Sequence, residues 1–213
     1  MCYLGEKRFE GLDLDGKHNL LAVMRDAGVI WLQMTGGEPL IDPDFPEAYR
    51  LAYELGMQIE ILSNGSRLHK DHILNLLRTY PPTKLTVSMY GATADTYDSV
   101  TRNRGAFGRF SRGLRMAIDA GLNVDLSLIV VQANVHEIDD MRAWARSLDL
   151  PFREYANISP TIHGARSRCP RSLRSTSATG SRSPAARPDR RSSTPIRSDG
   201  PRSARSAASR TST

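Results

Sequence analysis

Two adjacent glycines followed by a carboxylate, within Thr35-Gly36-Gly37-Glu38-Pro39, form the cluster in this sequence best suited to holding a small polar molecule. Glycine lets the backbone approach a ligand closely, and the acidic group beside it accepts hydrogen bonds from an ammonium or hydroxyl. Further clusters of small and polar residues follow at Ser63-Asn64-Gly65, Ser88-Met89-Tyr90-Gly91, Gln132-Ala133-Asn134 and Ser159-Pro160-Thr161. Any one of them, taken singly, is an ordinary turn. Their value depends on whether the fold gathers them on one rim. The five histidines (18, 69, 72, 136 and 163) have no metal-ligand spacing beyond His69-x-x-His72, and that pair reads as solvated surface at a helix start. The two cysteines, Cys2 and Cys169, offer at most one bridge, which is not a disulfide framework.

The elements that must position these clusters are written in the apolar periodicity. Leu20, Val23, Met24 and Ala27 are spaced as the buried face of a first helix that stops at Gly28. Val29 to Met34 then forms a near-continuous apolar run, expected to be a strand buried on both faces of a parallel sheet. The unit repeats: helix faces at Ala48/Leu51/Ala52/Leu55, Ile73/Leu74/Leu76/Leu77, Phe107/Phe110/Leu114/Ala117 and Ile138/Met141/Ala145/Leu148 alternate with strands starting near 58, 84, 124 and 152. Asn134, with Glu137 three residues on, has the form of a capping box opening the last of these helices. Parallel strands joined by crossover helices make an α/β sheet or barrel whose ligand site lies at the strands' carboxyl ends. Each polar cluster falls at such an end. Trp31 and Trp144 are expected in the core, and Asp139-Asp140 on a solvated helix face. Arg102, Arg104, Arg109 and Arg112 form either a basic face toward a substrate or a solvated one.

The formal charge of +6 is an average over two unlike parts. Residues 1–163 carry 17 basic and 21 acidic side chains, a net of −4, whereas residues 164–213 carry 12 arginines and 2 aspartates, a net of +10. The tail holds 13 serines and no aromatic residue, so it cannot bury enough apolar surface to offset the entropy of ordering. It is expected to be disordered. Guanidinium groups bind phosphates, but a tail without aromatic residues lacks base-stacking platforms, so nucleic acid is not an expected partner. The abrupt change of composition inside what should be a βα unit instead suggests a shifted reading frame near His163. No apolar run approaches the roughly 20 residues that span a bilayer, and MCYLGEKRFE lacks the apolar stretch of a secretory signal. The expected location is the cytoplasm.

The order of three segments gives these clusters a family likeness. WLQMTGGEPLIDPDF, then ILSNGSRL, then LTVSMYGATADTYDSVTRNRGAF resembles the radical S-adenosylmethionine (SAM) enzymes, particularly peptide-modifying members that carry a SPASM domain, over about residues 2 to 163. The resemblance implies a partial (β/α)6 TIM-like barrel over residues 1–163, lacking its first strand, with the disordered tail at 164–213. It implies that Gly36, Gly37 and Glu38 bind the methionyl amino group of SAM, and that Ser88 contacts its carboxylate or ribose. Gln132 and Asn134 fall where the family approaches the ribose and adenine. Cys2 and Tyr3 match the last cysteine and the adjacent aromatic of a C-x3-C-x2-C-aromatic motif whose thiolates hold a 4Fe-4S cluster.

In such enzymes the reduced cluster cleaves SAM to a 5'-deoxyadenosyl radical that abstracts a substrate hydrogen, with electrons from an external donor and, in this branch, a peptide as substrate. The motif's other two cysteines and the first strand are expected upstream of Met1, because one thiolate cannot hold such a cluster. Two other readings remain at this stage: an inactive product of a damaged gene, and an α/β domain with a nucleic-acid-binding basic tail.

Overall fold

The computed structural model describes residues 11–156. The expectations for Cys2, Tyr3, Ser159-Pro160-Thr161, His163, Cys169 and the arginine-rich tail lie outside the described residues. In chain order the elements are α1 (Leu14–Asp26), β1 (Trp31–Met34), α2 (Phe45–Glu54), β2 (Gln58–Ser63), α3 (Asp71–Thr79), β3 (Lys84–Met89), α4 (Ala94–Thr101), α5 (Ala106–Asp119), β4 (Val124–Ile129), α6 (Ile138–Ser147) and β5 (Phe152–Tyr155). Single 3-10 turns at Pro39–Ile41 and Val135–Glu137 precede α2 and α6. The five strands are all parallel and lie side by side in sequence order. Right-handed crossovers between successive neighbours keep the helices on one face of a sheet. This is the winding of a barrel segment, not of a doubly wound sheet.

Burial along the strands agrees. Ile59 and Ile61, Leu85, Val87 and Met89, and Leu126 and Leu128 alternate into a core shared with Tyr49, Ala52, Leu77, Phe110, Leu114 and Met141 of the helices. The intervening residues form the open face and, apart from Leu62 and Ile129, are polar. There Glu60 accepts from Gln33 Nε2 at 3.1 Å and from Thr86 Oγ1 at 3.2 Å, and Lys84 pairs with Asp125 at 3.1 Å. Among the described residues no helix is long and apolar enough to cross a membrane.

The first βα unit departs from expectation. On α1 it is Leu21 that is buried and Met24 that packs on the core, while Leu20 and Val23 are 49% and 65% exposed. Lys17 sets this rotation, reaching Asp42 at 2.9 Å and Asp44 at 2.8 Å, so that residues 17, 21 and 24 face the start of α2. The Val29–Met34 run is not a strand buried on both faces, because β1 has only β2 as a neighbour among the described residues. Trp31 is therefore 50% exposed instead of in the core, whereas Trp144 does pack on the core, its ring 5.7 Å from that of Phe110. A further helix, α4, precedes α5, with Tyr97 and Val100 buried three residues apart. Strand β4 ends at Ile129, because the segment after it turns back to form the Asn134 anchor described below.

Helix α5 meets the loop after β2 nearly backbone to backbone. A Cβ on Gly113 would stand 2.6 Å from the Gly65 carbonyl oxygen and 3.0 Å from Leu68 Cβ. Although alanine favours helix, Gly113→Ala is expected to lower stability by about 2 kcal/mol through overpacking. Thermal unfolding followed by circular dichroism checks this, and an unchanged midpoint would contradict the close approach.

Candidate functional site

The polar clusters within the described residues do share one end of the sheet, because parallel strands present all their carboxyl ends to the same side. At the end of β1 the backbone of Gly36 takes φ +145°, a conformation side chains rarely adopt. Nothing lies within 4 Å of where a Cβ would stand on Gly36 or Gly37, and both residues are exposed. The chain is thus bare backbone beside open space. Glu38 follows at the start of the 3-10 turn, half-buried. Its Oε2 accepts from Asn64 N at 2.7 Å, and its Oε1 accepts from Ser63 Oγ at 2.8 Å and Leu40 N at 3.2 Å. The Gly-Gly-Glu and Ser-Asn-Gly clusters are therefore one structure, closed further by Gly65 N donating to Ser63 Oγ at 2.9 Å.

Burial pushes the Glu38 carboxyl above its ordinary pKa, and the donors Asn64, Ser63 and Leu40, with the Arg67 guanidinium, only partly offset this. The direction has a consequence for stability. A carboxyl whose folded pKa is raised contributes stability that is full below its unfolded pKa and lost as pH rises through the folded one. At neutral pH the ionised Glu38 is a cost to the fold, of the kind that functional sites retain.

Ser88 lies on the open face of β3, in register with Ser127 of β4. Just past the end of β3, Tyr90 packs its ring edge-on to Tyr97 of α4, the centroids 5.7 Å apart. Burial first, and the nearby Glu38 charge as well, hold its phenol above the usual range against a hydrogen bond with Ser88. Gln132, in the loop after β4, is exposed, its side chain without a hydrogen-bond partner among the described residues. Asn134 is fully buried: its Oδ1 accepts from Val131 N at 2.7 Å, and its Nδ2 donates to the carbonyls of Tyr90 and Ile129, both at 2.8 Å.

The capping box expected from Asn134 and Glu137 does not form. Neither side chain caps α6. Glu137, 7% exposed, reaches instead to the loop after β3, where it accepts from Ala92 N at 2.8 Å, Thr93 N at 3.2 Å, and the hydroxyls of Thr93 and Thr96, each at 2.6 Å. Burial opposes its charge, yet these donors hold its pKa below the ordinary carboxylate value. Asn134 and Glu137 together clamp the ends of β3 and β4. Sequence reasoning missed Tyr90, Arg67 and Glu137 as site residues. The period of two from Ser88 points to Tyr90, whereas Glu137 has partners more than 40 residues away and carries no local signal.

Of the histidines and arginines singled out in the sequence, His136 alone among the described residues comes near this site, its Nε2 4.0 Å from Glu137 Oε1. His72 and His136 are exposed, but His69 is not simply solvated surface, since its Nδ1 is buried without a partner. No three His, Cys, Asp or Glu side chains converge as a metal site among the described residues. Arg102, Arg104 and Arg112 are exposed on the α4–α5 loop and α5, and Arg109 donates to Asn103 Oδ1 at 2.8 Å. Asp140 is solvated as expected, while Asp139, itself exposed, pairs with Arg142 at 2.8 Å.

The arrangement fits the methionyl end of SAM: open glycine backbone gives room, and a desolvated carboxylate gives the ammonium a partner. It does not fit a complete cluster, because the sequence supplies two cysteines where such a cluster takes three or four thiolates.

Comparison with known proteins accords with the geometry. The antilisterial bacteriocin subtilosin biosynthesis protein AlbA of Bacillus subtilis is 27% identical over 124 residues, 58% of this chain and 28% of AlbA. The mycofactocin maturase MftC of Mycobacterium ulcerans is 32% identical over 140 residues, 64% of this chain and 37% of MftC. The chain thus spans roughly a third of the length of these relatives. The fold is shared with Streptococcus suis SuiB bound to its precursor peptide SuiA, at TM-score 0.60 and 16% identity over 72% of this chain and 35% of SuiB. The family model described as Radical SAM superfamily matches residues 2–145, over half of the chain, and the chain belongs to that superfamily.

Proposed function

We propose that this chain is the SAM-binding core of a radical SAM enzyme that modifies a peptide. The observation that carries the reading is the half-buried Glu38 carboxylate beside the open Gly36-Gly37 backbone, tied to the Ser63-Asn64 loop. In this reading Glu38 accepts from the methionyl ammonium, and Gly36 and Gly37 leave room for the methionyl chain. Ser88 donates to the carboxylate or ribose. Gln132 reaches the ribose and adenine, and Asn134 holds that loop in place as well as bordering it. SuiB, of the same fold, is described bound to S-adenosylmethionine and to a precursor peptide, which supports both ligand classes.

When bound and reductively cleaved, SAM supplies a hydrogen-abstracting 5'-deoxyadenosyl radical, and the residues named here act by holding the cosubstrate. Cys2 and Tyr3 belong to the 4Fe-4S motif in this reading. A SPASM domain, an external electron donor and a cytoplasmic setting complete the proposed whole enzyme.

The test is calorimetric titration of the full chain with S-adenosylhomocysteine, which carries the same ammonium, carboxylate and nucleoside. Saturable binding at one site, with a proton released to buffer at mildly acidic pH as Glu38 ionises, is the expected result. A folded chain that takes up no S-adenosylhomocysteine would overturn the reading.

A further inference from the structure

Toward the strands' amino ends, charges on the open face of the sheet satisfy one another: Glu60 is bonded by Gln33 and Thr86, and Lys84 by Asp125. In the row nearer the carboxyl ends, the members on β4 and β5 make no such pairing among the described residues. Ser88, Ser127 and Arg153 are register partners across β3, β4 and β5. Strand alternation places them on the open face, since Leu126 and Leu128 enter the helix-side core and Glu154 turns the same way to meet Arg142 of α6 at 2.7 Å. Ser127 is 8% exposed, yet its hydroxyl has no hydrogen-bond partner among the described residues. Arg153 is exposed and likewise has no ion pair among the described residues. A hydroxyl open to the sheet face and unused by the protein, one strand from a free guanidinium on the same face, is an arrangement suited to an anion.

We propose that Ser127 and Arg153 bind a carboxylate of the substrate, next to the cosubstrate. The inference rests on the SAM reading only for what occupies the neighbouring positions. Neighbouring strands lie about 4.8 Å apart, so Arg153 is about 10 Å beyond Ser88, on the side away from Glu38. A methionyl group with its ammonium on Glu38 spans toward β3 and its nucleoside passes over the loop after β4, so that Ser127 and Arg153, within the strands below that loop, are left to a second molecule. Guanidinium pairs with carboxylate in bidentate fashion, and the serine hydroxyl donates to the same group. The preferred substrate is therefore a peptide that presents a carboxylate, from an acidic side chain or from its C-terminus.

The experiment follows the arginine side-chain resonances of the full chain by NMR, with Arg153 assigned from the signal missing in Arg153→Gln. The probes are N-acetyl-glutamate N-methylamide, N-acetyl-alanine, and the neutral N-acetyl-glutamine N-methylamide, each added with S-adenosylhomocysteine present. One or both acidic probes are expected to shift Arg153 saturably, the responding probe identifying the carboxylate's source, while the neutral probe does not. Arg153→Gln should weaken that binding at least tenfold and Ser127→Ala several-fold, with S-adenosylhomocysteine affinity unchanged. Acidic probes that leave Arg153 unmoved, or bind the variant equally well, overturn the proposal. So does an Arg153→Gln chain that loses S-adenosylhomocysteine affinity instead. A chain that binds an acidic probe at Arg153 but no S-adenosylhomocysteine would refute the SAM reading and leave this one standing.

Discussion

Glu38→Gln is expected to weaken S-adenosylhomocysteine binding by about 10- to 150-fold, the worth of one charge-assisted hydrogen bond of about 1.5–3 kcal/mol. The effect should be large because Glu38 is already removed from water. Burial holds its pKa up in the free protein, so the site meets much of the desolvation cost before the ligand arrives. Its internal donors, Ser63, Asn64 and Leu40, fix the carboxylate's orientation without neutralising it. The same physics sets a pH dependence. The ammonium of the ligand stays protonated through the mildly acidic range, whereas Glu38 must ionise to bind it. Affinity should therefore rise with pH up to the raised Glu38 pKa and level off above it. In Glu38→Gln that slope should vanish, because no titrating partner remains. Calorimetry of both chains across this range checks the prediction, and an equal slope in the variant would place the binding carboxylate elsewhere. Thermal unfolding of the unliganded variant separates loss of affinity from loss of fold.

The second large effect concerns stability. Replacing Glu137 with Leu removes the acceptor shared by Ala92, Thr93 and Thr96 and leaves four partly buried hydrogen bonds unmade, at a cost of about 3 kcal/mol. For a domain of this size that lowers the thermal midpoint by about 10 °C. Glu137→Gln should rescue only in part: its amide oxygen can take Ala92 N and Thr93 N, but its NH2 then meets the Thr93 and Thr96 hydroxyls, which must turn from donating to accepting, and the charge that strengthens these bonds is gone. The pH signature also distinguishes this carboxylate from Glu38. A depressed folded pKa contributes stability that is present above the unfolded value and lost as pH falls through the folded one. Wild type should therefore lose more stability than Glu137→Leu on acidification, and the two curves should approach one another at low pH. Parallel curves would mean that Glu137 is not held as an anion. Because the loop it clamps carries Tyr90 and follows directly on Ser88 of β3, Glu137→Leu should also weaken S-adenosylhomocysteine binding, although Glu137 serves the ligand only through that loop.

Much of this arrangement was legible in the residues before any coordinates. Strand β3 coincides with its expected Lys84–Met89 span, and helices α2, α3, α5 and α6 follow their apolar spacing. Apolar periodicity is a local property of the chain, and burial of one face is what it encodes. Glu38 and Ser88 were singled out the same way, as polar residues at the expected end of a strand.

The departures share one cause. The first helix was assigned its face from apolar spacing, but rotation about a helix axis is settled by what lies opposite, and Lys17 found Asp42 and Asp44. Trp31 belongs to a run as apolar as any core strand, yet its exposure follows from how many neighbours β1 has. Asn134 and Glu137 have capping-box spacing, and a local motif loses to stronger donors when the fold brings Thr93 and Thr96 within reach.

From the amino-acid order alone came the α/β class, the parallel strands, the family likeness and the Gly-Gly-Glu site, all of which rest on residues close together in the chain. Tertiary structure alone brought Glu38 onto the Ser63-Asn64 loop, locked Glu137 into the loop after β3, and lined up Ser88, Ser127 and Arg153. Those contacts join residues 25 to 45 positions apart, and strand register and helix rotation, which no local pattern encodes, decide whether they meet.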